Sequence, residues 1–210
     1  IDEVAEGFKK VNRFLFLSSR MEAPEDGFTS GSMAIHMFIM LLLKSKLHNH
    51  NKQKVQVVDI GAGVGLLAAC FAVLADEGAQ VYGLDFPDVN RTARRFLNDK
   101  NAFAEGVKIL TPEIVNVQDD VDLPESLTKG LADAINIGFA VPMSAPQLKE
   151  ANDILKPGGL ITVPILDETF VREEGVPQSC AYFSVLEKQD GELITKFRGP
   201  QVRFVPDSNT

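Results

Sequence analysis

Three glycines spaced G-x-G-x-G (Gly61, Gly63 and Gly65) stand between a valine-rich run, Val55–Ile60, and an apolar, alanine-rich run, Leu66–Ala75. That order reads as strand, tight turn and helix. Glycine takes backbone conformations that a tight turn needs and lets a ligand approach the main chain. The helix that follows aims its N-terminus at the ligand. Asp85 lies 20 residues past Gly65, at the end of the next strand-like run, Gln80–Leu84. A carboxylate there can accept both hydroxyls of a ribose, and it would repel a 2′-phosphate. A dinucleotide fingerprint would place its third glycine where Leu66 stands. Asp59, inside the end of the first strand, suits a cationic ligand better than a diphosphate. The pattern therefore favours S-adenosyl-L-methionine, which has no pyrophosphate, over NAD. A plain strand–turn–helix with packing glycines is the other reading.

These residues need elements to hold them. Phe8, Val11, Phe14 and Leu15 share a helical face within Ile1–Ser19, and Ala23–Gly27 then breaks the pattern. Ser30–Ser32 can cap a helix over Met33–Lys46. Strands are expected at Val55–Ile60, Gln80–Leu84, Val107–Thr111, Ala134–Ile137 and Leu160–Pro164, with helices at Leu66–Ala75, Val89–Asn98 and Pro146–Leu155. Tyr182–Lys188 and Glu192–Lys196 flank Asp190-Gly191, a hairpin signal, and Val202–Val205 is a last strand. Strand alternating with helix implies an α/β sheet with helices on both faces, and the hairpin makes one edge antiparallel.

Composition narrows the partners. The 210 residues carry 29 acidic and 21 basic side chains, a net charge of −8, which argues against affinity for nucleic-acid phosphate. Cys70 and Cys180 sit in apolar surroundings and read as reduced thiols of a cytoplasmic protein. Three histidines without ligand-like spacing leave no metal site, and no apolar run is long enough for a membrane span. The acids Asp119, Asp120 and Asp122 read as a solvated loop, and Arg91, Arg94 and Arg95 as a solvated helix face. The chain begins with Ile1 rather than Met, so a longer natural polypeptide is expected.

The motifs together resemble the protein-L-isoaspartate O-methyltransferase family. Val58–Gly65 with Ala69-Cys70-Phe71-Ala72 resembles its cofactor loop and first helix, and Tyr82-Gly83-Leu84-Asp85 its second strand. Ala134–Gly138 with Pro142 is similar to the fourth strand and its loop, and Leu155–Gly159 through Pro164 matches a motif shared with other methyltransferases. Leu186–Gly191 and Val202–Pro206 look like the family's closing hairpin and final strand. Gly27-Phe28 and His36-Met37 fall at the family's spacing. The family's Thr-Ile-Ser-x-Pro-His-like segment reads here Gly31-Ser32-Met33-Ala34-Ile35-His36, with the serine displaced by one position and no proline. Its Asp-Gly after the third strand reads Glu113-Ile114, and Phe86 follows the ribose acid.

The resemblance implies a Rossmann-like methyltransferase fold: an α/β, doubly wound, mostly parallel seven-stranded sheet with an antiparallel C-terminal hairpin. It implies one domain over residues 1–210, with a helical cap and substrate loop (1–50), a cofactor core (51–165) and a closing hairpin and strand (166–210). The cofactor is S-adenosyl-L-methionine and the product S-adenosyl-L-homocysteine. Cofactor contacts are assigned to Asp59, Gly61, Ala62, Gly63, Gly65, Leu66, Asp85, Phe86, Glu113, Ile114 and His36. Substrate contacts are assigned to Met33, Ala34, Ile35, Gly138, Val202 and Val205, with Ser32 as the catalytic position. Ser32 also reads as a helix N-cap, and His36 also as a structural histidine on an apolar face. The implied activity is methyl transfer to the carboxylate of L-isoaspartyl residues in damaged proteins or peptides, by a monomer that needs no metal. The alternatives are a methyltransferase of the same fold with another substrate, and a S-adenosylmethionine-binding relative that acts as an interaction module.

Overall fold

The computed structural model describes residues 2–12, 33–48, 54–75, 79–99, 101–104, 113–116, 127, 130–167 and 179–204. The strands are β1 (Gln56–Ile60), β2 (Gln80–Asp85), β3 (Glu113–Asn116), β4 (Ala132–Ile137), β5 (Leu155–Leu166), β6 (Ser179–Gln189) and β7 (Glu192–Phe204). The helices are α1 (Asp2–Lys9), α2 (Met33–Leu47), α3 (Leu66–Leu74), α4 (Pro87–Leu97) and α5 (Pro146–Ile154). One seven-stranded sheet has the order β3-β2-β1-β4-β5-β6-β7. Strands β1 to β5 pair in parallel, while β6 and β7 add an antiparallel edge. The order reverses between β1 and β4, and in open α/β sheets such a reversal opens a crevice at the carboxyl ends of the strands.

Alternation along the strands decides which residues face which layer. Val57, Val81 and Ala134 join a core with α1, α2, α3 and the end of α4. Val58, Ile60, Ile135, Ile137, Ile161 and Val163 face the other way, against α5. Asp59 and Asn136 therefore lie on the face of α2 and α3. Helix α3 is buried almost all round, which explains its run of Leu, Ala, Cys and Phe. Helix α4 opens with Pro87 at its first turn and ends with Arg94 and Arg95, in accord with the N-terminal preference for proline and the C-terminal preference for cations. Its arginines form the exposed face, as expected, and Val89, Ala93, Phe96 and Leu97 the buried one.

The reversal point is pinned from below. Lys156 reaches both oxygens of Asp133 at 2.7 Å, and Asp133 Oδ2 also accepts the Gln56 N–H at 2.8 Å, tying β4 to β5 and β1. Both side chains are partly exposed, which limits the worth of the pair. Lys156→Met is expected to cost about 1 kcal/mol, and Asp133→Ala about 2 kcal/mol because it also strands the Gln56 amide. Urea unfolding checks the order, and equal losses in the two variants would refute it.

Several expectations change. Val11 is buried, but as an isolated bridge to Phe103 rather than on a long helix, because Asn12 and Ala104 exchange backbone hydrogen bonds with Ala102 and Lys10. Phe14 and Leu15 lie outside the described residues. So does the strand expected at Val107–Thr111; the strand beside β2 is Glu113–Asn116. The second arm of the hairpin and the expected last strand are one continuous β7. Its register shifts against β6 twice, which absorbs Gly199-Pro200 on an edge where proline is tolerated. The Asp190-Gly191 turn is as expected, with both residues at positive φ.

Candidate active site

The carboxyl ends of β1, β2 and β4 converge on the glycine loop. Gly61 N–H and Ala62 N–H donate to Leu84 O at 2.8 and 3.1 Å, and Gly138 N–H donates to Ile60 O at 2.7 Å. Gly63 and Gly65 have φ of 57° and 82°, the left-handed region that glycine takes without strain. Gly65 is the residue before α3, so the loop turns directly into the helix N-terminus. A Cβ on Gly63 would meet nothing within 4 Å, which leaves that side of the loop open to a ligand. A Cβ on Gly138 would stand 2.7 Å from Gly61 O, backbone against backbone. Gly138→Ala is therefore expected to push the β4 loop off the glycine loop and cut methyl transfer by about tenfold or more. Unchanged transfer by the variant would show that the two loops need no close fit.

Asp85 closes the loop from the side. Its Oδ2 accepts the Gly63 N–H at 2.7 Å and its Oδ1 the Phe86 N–H at 2.8 Å. Burial raises its carboxyl above the usual carboxylate range, and the two backbone hydrogen bonds oppose that rise. Phe86 stands next to it, 45% exposed, an apolar ring on the rim of the crevice.

Asp59 is buried behind the loop. Its Oδ1 accepts from Asn136 Nδ2 at 2.8 Å, and its Oδ2 has no hydrogen-bond partner among the described residues. The Ala68 amide in the first turn of α3 favours the charged form weakly, without meeting hydrogen-bond geometry. Burial dominates and pushes the carboxyl up to about 7, the Asn136 bond opposes it, and the nearby Asp85 charge adds to the rise.

Of the other expected cofactor residues, Ala62 and Leu66 line the buried side of the loop, with Leu66 packed into the core. Glu113 pairs with Tyr82 and Ile114 with Gly83, in the body of β2, while Asn116 is the residue level with Asp85 at the strand ends. The shift follows from where β3 lies, and only the register could reveal it. His36 heads the buried stripe of α2 with Ile39, Met40 and Leu43. Burial lowers its imidazole to about 4, so it is neutral at physiological pH, and Nδ1 has no partner among the described residues. Ala34 is exposed and Ile35 half-buried at the start of α2, where Met33 is the first residue. Gly138 is exposed beside the glycine loop, and Val202 pairs with Ala181 along β7. Ser32 and Val205 lie outside the described residues, as do Asp119, Asp120 and Asp122. Among the described residues no three acidic, histidine or cysteine side chains could share a metal, and no helix is long and apolar enough to cross a membrane.

A glycine loop at the reversal point of this sheet, an acid at the end of β2 and an antiparallel C-terminal edge define a methyltransferase of the Rossmann-like class. A family model described as protein-L-isoaspartate(D-aspartate) O-methyltransferase matches residues 1–210, and the chain belongs to that family. Protein-L-isoaspartate O-methyltransferase 1 of Arabidopsis thaliana is 32% identical over 179 residues, 78% of this chain and 70% of that protein. The Triticum aestivum protein-L-isoaspartate O-methyltransferase is 25% identical over 169 residues, with the same coverage of 78% and 70%. Among solved structures, the fold is shared with a Plasmodium falciparum protein-L-isoaspartate O-methyltransferase in complex with S-adenosyl-L-homocysteine. The TM-score there is 0.71 at 22% identity, over 98% of this chain and 90% of that one.

Proposed function

We propose that this chain methylates the carboxylate of L-isoaspartyl residues in damaged proteins or peptides, using S-adenosyl-L-methionine and releasing S-adenosyl-L-homocysteine. The observation that carries the reading is the Asp85 carboxylate held against the Gly63 N–H at 2.7 Å, at the carboxyl end of β2 beside the glycine loop. Two features fit a nucleoside that carries positive charge: the open side at Gly63 and the unpaired Oδ2 of buried Asp59. Asp85 would take the ribose, Phe86 the base, and the backbone of Gly61–Gly65 the remainder, with Asp59 set for the cationic end.

When bound, the cofactor supplies an activated methyl group on a sulfonium. An isoaspartyl carboxylate is already ionised at neutral pH, so the protein needs no general base. Its task is to place one substrate oxygen in line with the methyl carbon and keep water out. That placement falls to Ser32–Ile35, to exposed Gly138, to Val202 on the edge strand β7, and to Val205, which follows β7 in the sequence. An extended peptide can add to such an edge by main-chain hydrogen bonds. His36, neutral and buried, serves as a support beneath the α2 segment rather than as a charged ligand. The free cysteines Cys70 and Cys180 fit a reducing compartment, and we assign the protein to the cytoplasm, acting as a monomer.

The test is transfer of labelled methyl to an isoaspartyl peptide, with the matching aspartyl peptide as control. Base-labile label on the isoaspartyl peptide alone is expected. Cofactor binding without label on either peptide would overturn the substrate assignment.

A further inference from the structure

Polar residues are rare inside this sheet, and three of them share one level. Asp59 pairs with Asn136 across β1 and β4, and Asn136 with Thr162 across β4 and β5. All three are buried. One step back on the same face, the level is apolar: Val57, Ala134 and Leu160. The polar row sits next to the carboxyl ends of the strands, below the glycine loop. A row of apolar side chains would spare the sheet the desolvation of a buried carboxyl.

The row has a direction. The Thr162 hydroxyl has one proton and two acceptors in reach, Asn136 Oδ1 at 2.9 Å and Ile135 O at 3.5 Å. The shorter contact takes the proton, since hydroxyl hydrogen bonds cluster below about 3.0 Å. Asn136 Oδ1 is thereby engaged, and its Nδ2 must face Asp59, where it donates to Oδ1 at 2.8 Å. With Oδ1 accepting, a neutral Asp59 can carry its proton only on Oδ2, which has no partner among the described residues.

We propose that Asn136 and Thr162 are positioning residues that orient Asp59, holding one carboxyl oxygen with the Asn136 amide and presenting the other, Oδ2, to the cationic part of the cofactor. The proposal rests on the cofactor reading given above. The ladder acts on ionisation as well as on geometry. A donor from Asn136 favours the carboxylate. Without the Thr162 hydroxyl, the amide is free to turn its oxygen to Asp59, which favours the neutral acid instead. The other titratable groups near Asp59 cannot supply this control, and the Ala68 amide favours the charged form only weakly. Asp85, from β2, only raises its carboxyl further. Cys70, from α3, is a buried thiol pushed up by burial and by Asp59 itself. His36, on the α2 layer over the same face, is neutral.

The test pairs Thr162→Val, which keeps the shape and removes the proton, with Thr162→Ser, which keeps the proton. The Asp59 carboxyl is followed by carbon NMR in the protein without cofactor, assigned with Asp59→Asn. S-adenosylmethionine affinity is followed by calorimetry from about pH 6 to about pH 9, a range that spans the carboxyl's titration. Thr162→Val is expected to raise the Asp59 midpoint by about one pH unit and weaken binding about fivefold near pH 7, with binding restored near pH 9. Thr162→Ser is expected to behave as the wild type. An unmoved midpoint in Thr162→Val, or a binding loss equal at every pH, overturns the proposal and leaves Thr162 a packing residue. A wild type that binds no S-adenosylmethionine at any pH overturns the cofactor reading itself, a result separable from failure of the ladder alone.

Discussion

Asp85→Ala is expected to abolish measurable methyl transfer and to weaken cofactor binding by about a hundredfold. The size follows from what the carboxylate does twice. It fixes the glycine loop through the Gly63 N–H, and it stands where ribose hydroxyls would find a charged acceptor. Hydrogen bonds to a charged group are worth about 1.5–3 kcal/mol each, and two of them amount to two or more decades in affinity. Removal of the side chain also frees Gly63, a residue at positive φ with no neighbour on its open side. The stability loss should be small by comparison, about 1 kcal/mol, because the stranded amide lies at a partly exposed position. Asp85→Asn separates the two roles. It keeps one acceptor for a loop amide and loses the charge, so a loss between those of wild type and Asp85→Ala is expected. Calorimetry with S-adenosylhomocysteine and thermal unfolding of the same samples check the pair. Near-wild-type affinity in Asp85→Ala would mean that the ligand lies elsewhere.

The glycine loop and Asp85 were legible in the sequence because their constraint is local. Three positions that need left-handed backbone conformations admit little but glycine, and an acid at a strand end 20 residues further on announces itself by spacing alone. The parallel core was legible for a similar reason. Strands buried on both faces read as short, mostly apolar runs, such as Val57-Val58 of β1 and Ala134-Ile135 of β4. The third strand escaped because Glu113-Ile114-Val115-Asn116 is a short edge segment held by backbone pairing, with no apolar run to mark it. The continuity of β7 escaped because Gly199-Pro200 reads as a break, and only a long antiparallel partner with shifted register accommodates it.

The ladder beside Asp59 was illegible for a deeper reason. Asn136 and Thr162 are 26 residues apart, and Asn136 and Asp59 are 77 apart. Nothing in either neighbourhood distinguishes them from incidental polar residues in a strand. Their meeting depends on the strand order, which places β1, β4 and β5 side by side, and on the register, which brings the three to one level. His36 reads from the sequence both as a ligand contact and as a structural histidine, and what only the fold adds is its place on the buried stripe of α2, which keeps it neutral.

Asp59→Asn is expected to make the protein more stable and less able to bind its cofactor. The Asp59 carboxyl is pushed up to about 7, chiefly by burial, while in the unfolded chain an aspartate titrates near 4. Between those values the folded protein keeps a proton that the unfolded chain has released. Stability therefore falls as pH rises through that window, and above it the buried charge costs the fold on the order of a few kcal/mol. A neutral amide of the same shape removes that cost. Near pH 8 the variant should melt several degrees above the wild type, at about 2–4 °C per kcal/mol for a chain of this size, and near pH 4 the two should melt together. His36 acts in the opposite sense, costing stability as pH falls from about 6.5 to about 4, but it is present in both proteins and cancels. The same substitution removes the buried charge that the proposed site offers to a cationic ligand, so S-adenosylmethionine affinity near pH 8 should drop by about tenfold or more. The wild type should itself lose affinity as pH falls below about 7 and Asp59 takes up its proton. A variant that melts below the wild type near pH 8, or gains equally at both pH values, would show that the charge of Asp59 is not held at the expense of the fold. A gain in stability with affinity intact would show that the charge is carried for something other than the cofactor.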